Sequence, residues 1–101
     1  ASAPPPAILE AMAELDFKVT HTYGLTEVYG PAVVCSWHQQ WDQLSIPEQA
    51  ELKSRQGVRY PMLEQLVVAD PETLEPVPHD GKTIGEILFR GNVVMKGYLK
   101  D

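Results

Sequence analysis

Apolar residues in this chain never run beyond four or five positions, as in Leu66-Val67-Val68-Ala69. No stretch can span a bilayer, so the chain has to be built from short helices and strands. With 101 residues it is one domain at most, able to bury roughly two-thirds of the surface it exposes unfolded. A hydrophobic share of 44% against 22% charged residues argues against disorder. Eight basic and 14 acidic residues give a net charge of −6, with no Lys/Arg cluster, which speaks against nucleic acid or an anionic membrane as partner. One cysteine, Cys35, leaves no internal disulfide and no thiolate metal cluster, and fits a reducing, cytoplasmic setting.

The triple proline Pro4-Pro5-Pro6 precedes a helical stripe, Ile8, Leu9, Met12 and Leu15, that predicts a first helix over Ala7–Leu15, broken by Asp16. Alternation in Phe17–Tyr23 predicts a strand that turns at Gly24, and Thr26–Trp41 reads as irregular with one short strand at Val33–Cys35. Ser45-Ile46-Pro47-Glu48 has capping-box spacing, so a second helix is expected over Pro47–Arg55, with Lys53 and Arg55 suiting the dipole and Gly57 as its stop. The remainder reads as strands at Leu63–Ala69, Gly85–Arg90 and Asn92–Lys96, with turns at Asp70–Thr73 and Asp80-Gly81. The expected class is a mixed α/β chain: an N-terminal helix–strand unit over 1–57, then a small, mostly antiparallel β subdomain over 58–101.

Several motifs carry weak chemical signals. Gly81-Lys82-Thr83 resembles the end of a phosphate loop, but the first glycine of that loop would fall on Pro76, so a hairpin turn is the better reading. Val94-Met95-Lys96 resembles a biotin attachment site, yet Gly97 replaces the second methionine and the N-terminal half has no place in a carrier. That alternative, a small carrier module modified on Lys96, is kept. His21, His38 and His79 stand 17 and 41 residues apart, which fits no local zinc pattern, and Cys35 in an apolar run reads as a buried inert thiol.

Tyr23-Gly24-Leu25-Thr26-Glu27 says more. An aromatic ring at a strand end, a glycine, then a hydroxyl beside a carboxylate could stack a flat ring, hydrogen-bond an anionic oxygen and hold a divalent cation through Glu27. A helix-starting turn explains the same five residues.

Ala1-Ser2-Ala3-Pro4 through Thr22-Tyr23-Gly24-Leu25-Thr26-Glu27, followed about 60 residues later by Gly85-Glu86-Ile87-Leu88-Phe89-Arg90-Gly91-Asn92-Val93-Val94-Met95-Lys96-Gly97-Tyr98, resembles the AMP-forming acyl-CoA synthetases of the adenylate-forming superfamily. The segment Trp37–Tyr60 is similar to the short- and medium-chain acyl-activating branch. An amino-acid adenylation domain is the nearest alternative, against which Leu25 and Trp37–Tyr60 speak. The resemblance implies that a carboxylate attacks the α-phosphate of MgATP to give an acyl-adenylate, from which coenzyme A displaces AMP. By position, Tyr23 would stack on adenine, Thr26 would bond the α-phosphate, Glu27 would ligate Mg²⁺, and Ala1, Ser2, Ala3, Pro4, Thr22 and Gly24 would complete the nucleotide contacts. His21, Thr22, Gly24, Val28, Tyr29 and Gly30 would line the acyl pocket. Acetate-specific members carry tryptophan at the position of Gly24, and the room left by a missing indole leads us to expect an acid longer than acetate.

The phosphate loop, the ribose-binding Asp and the C-terminal domain with its lysine are not within these residues. The resemblance therefore implies an internal fragment, inactive alone, whose exposed strand edges favour dimers or strand exchange.

Overall fold

Proline fixes φ near the helical value and lacks only an amide that a first turn leaves unused, so Pro6 can open α1 (Pro6–Glu14). The computed structural model describes residues 2–100 and sets this helix one residue earlier at each end than expected. Asp16, at φ 62°, closes it in a Schellman motif: its amide donates to the Ala13 carbonyl and that of Phe17 to the Met12 carbonyl, both at 3.0 Å. Leu9 is the buried residue of α1, which packs against α2 (Ile46–Lys53) around Ala50.

Three antiparallel strands follow, β1 (Thr22–Leu25), β2 (Gly30–Val34) and β3 (Val58–Arg59), with β2 in the centre. β1 is shorter than the predicted Phe17–Tyr23 strand because its partner ends early. The bond from the Cys35 amide to the His21 carbonyl, 2.9 Å, is the last the two segments share.

Gly24 is not the predicted turn. The chain stays extended through Leu25, and a single 3-10 turn at Thr26–Val28 makes the reversal, completed by Tyr29 at φ 62° and Gly30 at φ 112°. Register jumps from Tyr23↔Val33 to Gly24↔Pro31, leaving Ala32 as a bulged extra residue. Ala32 and Val33 are consequently both buried, and the Ala32 carbonyl accepts the Tyr60 amide at 2.8 Å.

At the start of α2 the expected capping box forms: the Ser45 side chain faces the Glu48 amide and the Glu48 carboxylate reaches back to accept the Ser45 amide at 2.9 Å, while the Ser45 hydroxyl also donates to Glu48 at 2.5 Å. These bonds, the hydroxyl first, hold the Glu48 carboxyl below its ordinary value. The helix ends at Lys53, two residues before the predicted limit. Gly57, at φ 91°, lies where a Cβ would stand 2.5 Å from Cys35 Cα, so it is a point of close approach to β2.

A second sheet pairs β4 (Gln65–Ala69) with β5 (Glu86–Arg90), antiparallel from Gln65↔Arg90 to Ala69↔Glu86. The Asp70 and Asp80 side chains each accept two amides, from Glu72 and Thr73 and from Lys82 and Thr83. Gly81-Lys82-Thr83 is thus an Asx turn. Asn92–Lys96 does not form the predicted third strand. Gly91–Val94 turns instead, with the Val94 amide on the Gly91 carbonyl at 3.2 Å, and its apolar residues fill space under the hairpin.

The core, Val28, Ala32, Val33 and Leu63, joins the two sheets, with Tyr23, Leu66, Phe89, Val93 and Val94 packed around it. It is small. The chain exposes 7966 Å², where a compact monomer of its mass exposes about 5,700 Å². Its radius of gyration is 15.7 Å, against about 12.7 Å for a compact domain of this length.

Candidate nucleotide and metal site

The hairpin between β1 and β2 divides its residues between two surroundings. Val28 points into the core at 2% exposure, while Thr22, Leu25, Thr26 and Tyr29 are exposed. Tyr23 is half-buried, with its ring on that of Phe89 at 6.3 Å between centroids and 28° between planes, a contact that ties β1 to β5. Thr26 opens the 3-10 turn and its carbonyl accepts the Tyr29 amide at 3.2 Å, leaving the hydroxyl at the exposed tip.

Glu27 follows in the same turn and is held twice from the distant 95–98 segment. Its backbone carbonyl accepts the Met95 amide at 2.9 Å, and its Oε1 accepts the Tyr98 hydroxyl at 2.6 Å. The Tyr98 hydrogen bond, followed by Glu27's own backbone amide, holds this carboxyl below its ordinary value. The same bond, with burial and the glutamate charge behind it, pushes the Tyr98 phenol up. Oε2 accepts from no described residue. That leaves one hard oxygen for a cation, which suits a Mg²⁺ ion that takes one or two carboxylates and fills its remaining positions with phosphate oxygens and water.

Other candidates lie elsewhere. His21 is buried and its Nδ1 is 2.9 Å from the Lys53 carbonyl, so it fastens the end of α2 to β1. It lines an open cleft of about 690 Å³ with Phe17, Cys35, Trp37, Asp42 and Lys53 that includes neither Thr26 nor Glu27. Of the six residues expected in an acyl pocket, it is the one that borders this cleft. Cys35 is buried, and desolvation first of all raises its thiol pKa, as an inert thiol requires. Ser2, Ala3 and Pro4 lead into α1 with Ser2 and Ala3 exposed, and Ala1 lies outside the described residues.

At Gly24 a Cβ would collide with the Gly30 carbonyl and lie 2.8 Å from Pro31 Cα, so the backbone of the hairpin fills the space on that side. Sequence reasoning also missed Tyr98 and Phe89 as partners of Glu27 and Tyr23, because nothing local marks contacts between residues so far apart in the chain.

Residues 1–99 match the family described as AMP-binding enzyme. The chain belongs to this family. It is 59% identical over 100 residues to the acetate–CoA ligase CCL3 of Humulus lupulus and to the peroxisomal acetate/butyrate–CoA ligase AAE7 of Arabidopsis thaliana. In each case the match takes in 99% of this chain and 18% of the relative. Identity to the peroxisomal trans-cinnamate:CoA ligase of Petunia hybrida is 47% over 100 residues, 98% of this chain and 18% of the relative. The chain thus spans about a fifth of the length of these curated relatives. Among the described residues no helix is long and apolar enough to cross a membrane. Family membership sets aside the carrier module on Lys96, an exposed residue outside the β4–β5 sheet.

Proposed function

We propose that this chain is one wall of the adenylate-forming site of an acid–thiol ligase, which activates a short- or medium-chain carboxylic acid as acyl-AMP and passes the acyl group to coenzyme A. The carrying observation is Glu27, fixed at a hairpin tip beside the exposed Thr26 hydroxyl with one carboxylate oxygen left over. Relatives named for acetate, butyrate and cinnamate support a carboxylic acid over an amino acid, and the two at 59% identity support the short end of the range.

In the reaction, the substrate carboxylate attacks the α-phosphorus of ATP, pyrophosphate leaves, and the coenzyme A thiol then displaces AMP. Tyr23 offers adenine the ring face turned away from Phe89, and the backbone of residues 2–4 lies along the adenine edge. Thr26 donates its hydroxyl to an α-phosphate oxygen. Glu27 would hold Mg²⁺ through Oε2 with Oε1 kept by Tyr98, and the ion, when bound there, would neutralise charge growing on the phosphate oxygens. An interaction of this kind accelerates the step because it strengthens toward the transition state. We assign residues 1–57 to the subdomain carrying the nucleotide and 58–101 to the adjoining β subdomain, joined through the β2–β3 pairing. We place the ligase in the cytoplasm; four of the curated relatives are named peroxisomal, and imaging of the tagged full-length protein separates these locations.

The test is the full-length enzyme given MgATP, coenzyme A and straight-chain acids from C2 to C10, with AMP and acyl-CoA quantified. Acyl-CoA forms from the shorter acids, and Glu27→Gln lowers kcat/KM about 100-fold or more with the melting temperature kept. No product from any acid, or a Glu27→Gln enzyme of undiminished rate, refutes the reading.

A further inference from the structure

The geometry points to Tyr98 as a positioning residue for the metal-binding carboxylate: its hydroxyl holds Glu27 Oε1 so that Oε2 faces the cation. This rests on the proposed role of Glu27.

A glutamate on an exposed hairpin has three side-chain torsions to settle before it can ligate anything. The Met95 amide on the Glu27 carbonyl fixes the backbone end, and the Tyr98 hydroxyl fixes the far end at 2.6 Å. Backbone and side chain are therefore both held by one segment, residues 95–98. A phenol is a rigid arm with a single donor at its tip, so it can orient a carboxylate without adding charge or competing for the cation. Gly97, at φ 153° with nothing within 4 Å of the position a Cβ would take, gives the backbone the conformation that precedes Tyr98. Tyr98 is half exposed, at 51%, so its ring is not anchored in the core. Its hydroxyl bond to Glu27 is the specific contact that it makes.

A partner that orients a metal ligand from behind typically changes metal affinity 10- to 100-fold when removed. Because this one is exposed, we expect the lower end. In the full-length enzyme Tyr98→Phe should raise the Mg²⁺ concentration for half-maximal rate about 10-fold, with kcat at saturating Mg²⁺ changed less than about threefold and the melting temperature unchanged. Mn²⁺ binding in the presence of ATP, followed by electron paramagnetic resonance, should weaken by the same factor without turnover. Glu27→Gln combined with Tyr98→Phe should be no worse than Glu27→Gln alone, since the tyrosine has nothing left to orient.

If Glu27→Gln weakens Mn²⁺ binding while Tyr98→Phe leaves it at the wild-type value, the positioning role is overturned and the Glu27 reading stands. If Glu27→Gln itself leaves Mn²⁺ binding unchanged, both fall. A Tyr98→Phe enzyme that loses rate equally at every Mg²⁺ concentration and melts lower would make the tyrosine a structural strap, which also overturns the proposal.

Discussion

Adding one carbon at Gly24 separates two explanations of that glycine. If it exists to open space for substrate, Gly24→Ala should fold normally and alter acid preference. If it exists because two strands meet there, the methyl should break the hairpin. The glycine is not in the left-handed region, so alanine meets no backbone penalty and the effect is purely steric. The new Cβ would stand 2.5 Å from the Gly30 carbonyl carbon and 2.8 Å from Pro31 Cα, whereas ordinary contact begins near 3.4 Å. Relief requires β2 to retreat by more than about 0.9 Å (3.4 − 2.5), since the Gly30 carbonyl oxygen is nearer still, at the point where Gly24 pairs with Pro31 and Leu25 with Gly30. Overpacking strain of about 1–3 kcal/mol and one or two weakened ladder bonds of about 1 kcal/mol each give a loss of roughly 2–5 kcal/mol. For a chain of this length, with a urea slope of about 1–1.5 kcal/mol/M, the midpoint should fall by about 3 M. Gly81→Asn is the control, since a Cβ there meets nothing within 4 Å and asparagine tolerates φ 67°. A Gly24→Ala chain with an unchanged midpoint would refute the steric account, and a changed acid preference in that enzyme would favour the pocket one.

The Asp80 carboxyl is held down to about 2 by the amides of Thr83 and Lys82 and then by the Thr83 hydroxyl. A carboxyl depressed in the folded state stabilises above its unfolded value and loses that contribution as pH falls from about 4 toward 2. Acid titration by circular dichroism should therefore show a shallower fall in stability across that window for Asp80→Asn than for the wild type. Asp16 occupies the Schellman position at φ 62°, where glycine is at ease. Asp16→Gly should raise the stability of α1 by about 1 kcal/mol in urea denaturation.

What could be read from the sequence was whatever its own neighbours determine. α1 shows its stripe, its leading prolines and its terminating Asp16 within thirteen residues, and the Glu48 carboxylate reaches Ser45 as the spacing requires. β5 is framed by Gly85 and Gly91. The failures share a different cause. Asn92–Lys96 has strand composition, yet its valines serve the core from a turn, because β5 already has its partner in β4 and the chain must return to the β1–β2 hairpin. β1 was read too long because its length is set by where β2 ends, which no local pattern reports. The Thr26-Glu27 pair stood out in the sequence as a candidate. The tyrosine that holds Glu27, 71 residues away, did not.

The hairpin that carries the site has one face folded and one face left over. Val28, Ala32 and Val33 are used up in the core, and Thr22, Leu25, Thr26 and Tyr29 remain outside it. The exposed area exceeds that of a compact monomer by about 2,300 Å² (7966 − 5,700). A standard protein interface takes about 800 Å² from each partner, so the surplus equals nearly three such faces. Leu25, Tyr29, Ile84 and Leu99 are among its exposed apolar residues. A nucleotide needs donors on several sides, and a chain of charge −6 with one carboxylate at its tip presents a phosphate with repulsion unless a cation lies between. The proposed site therefore needs phosphate donors beyond the exposed Thr26 hydroxyl, while the Glu27–Tyr98 contact is already built within the chain.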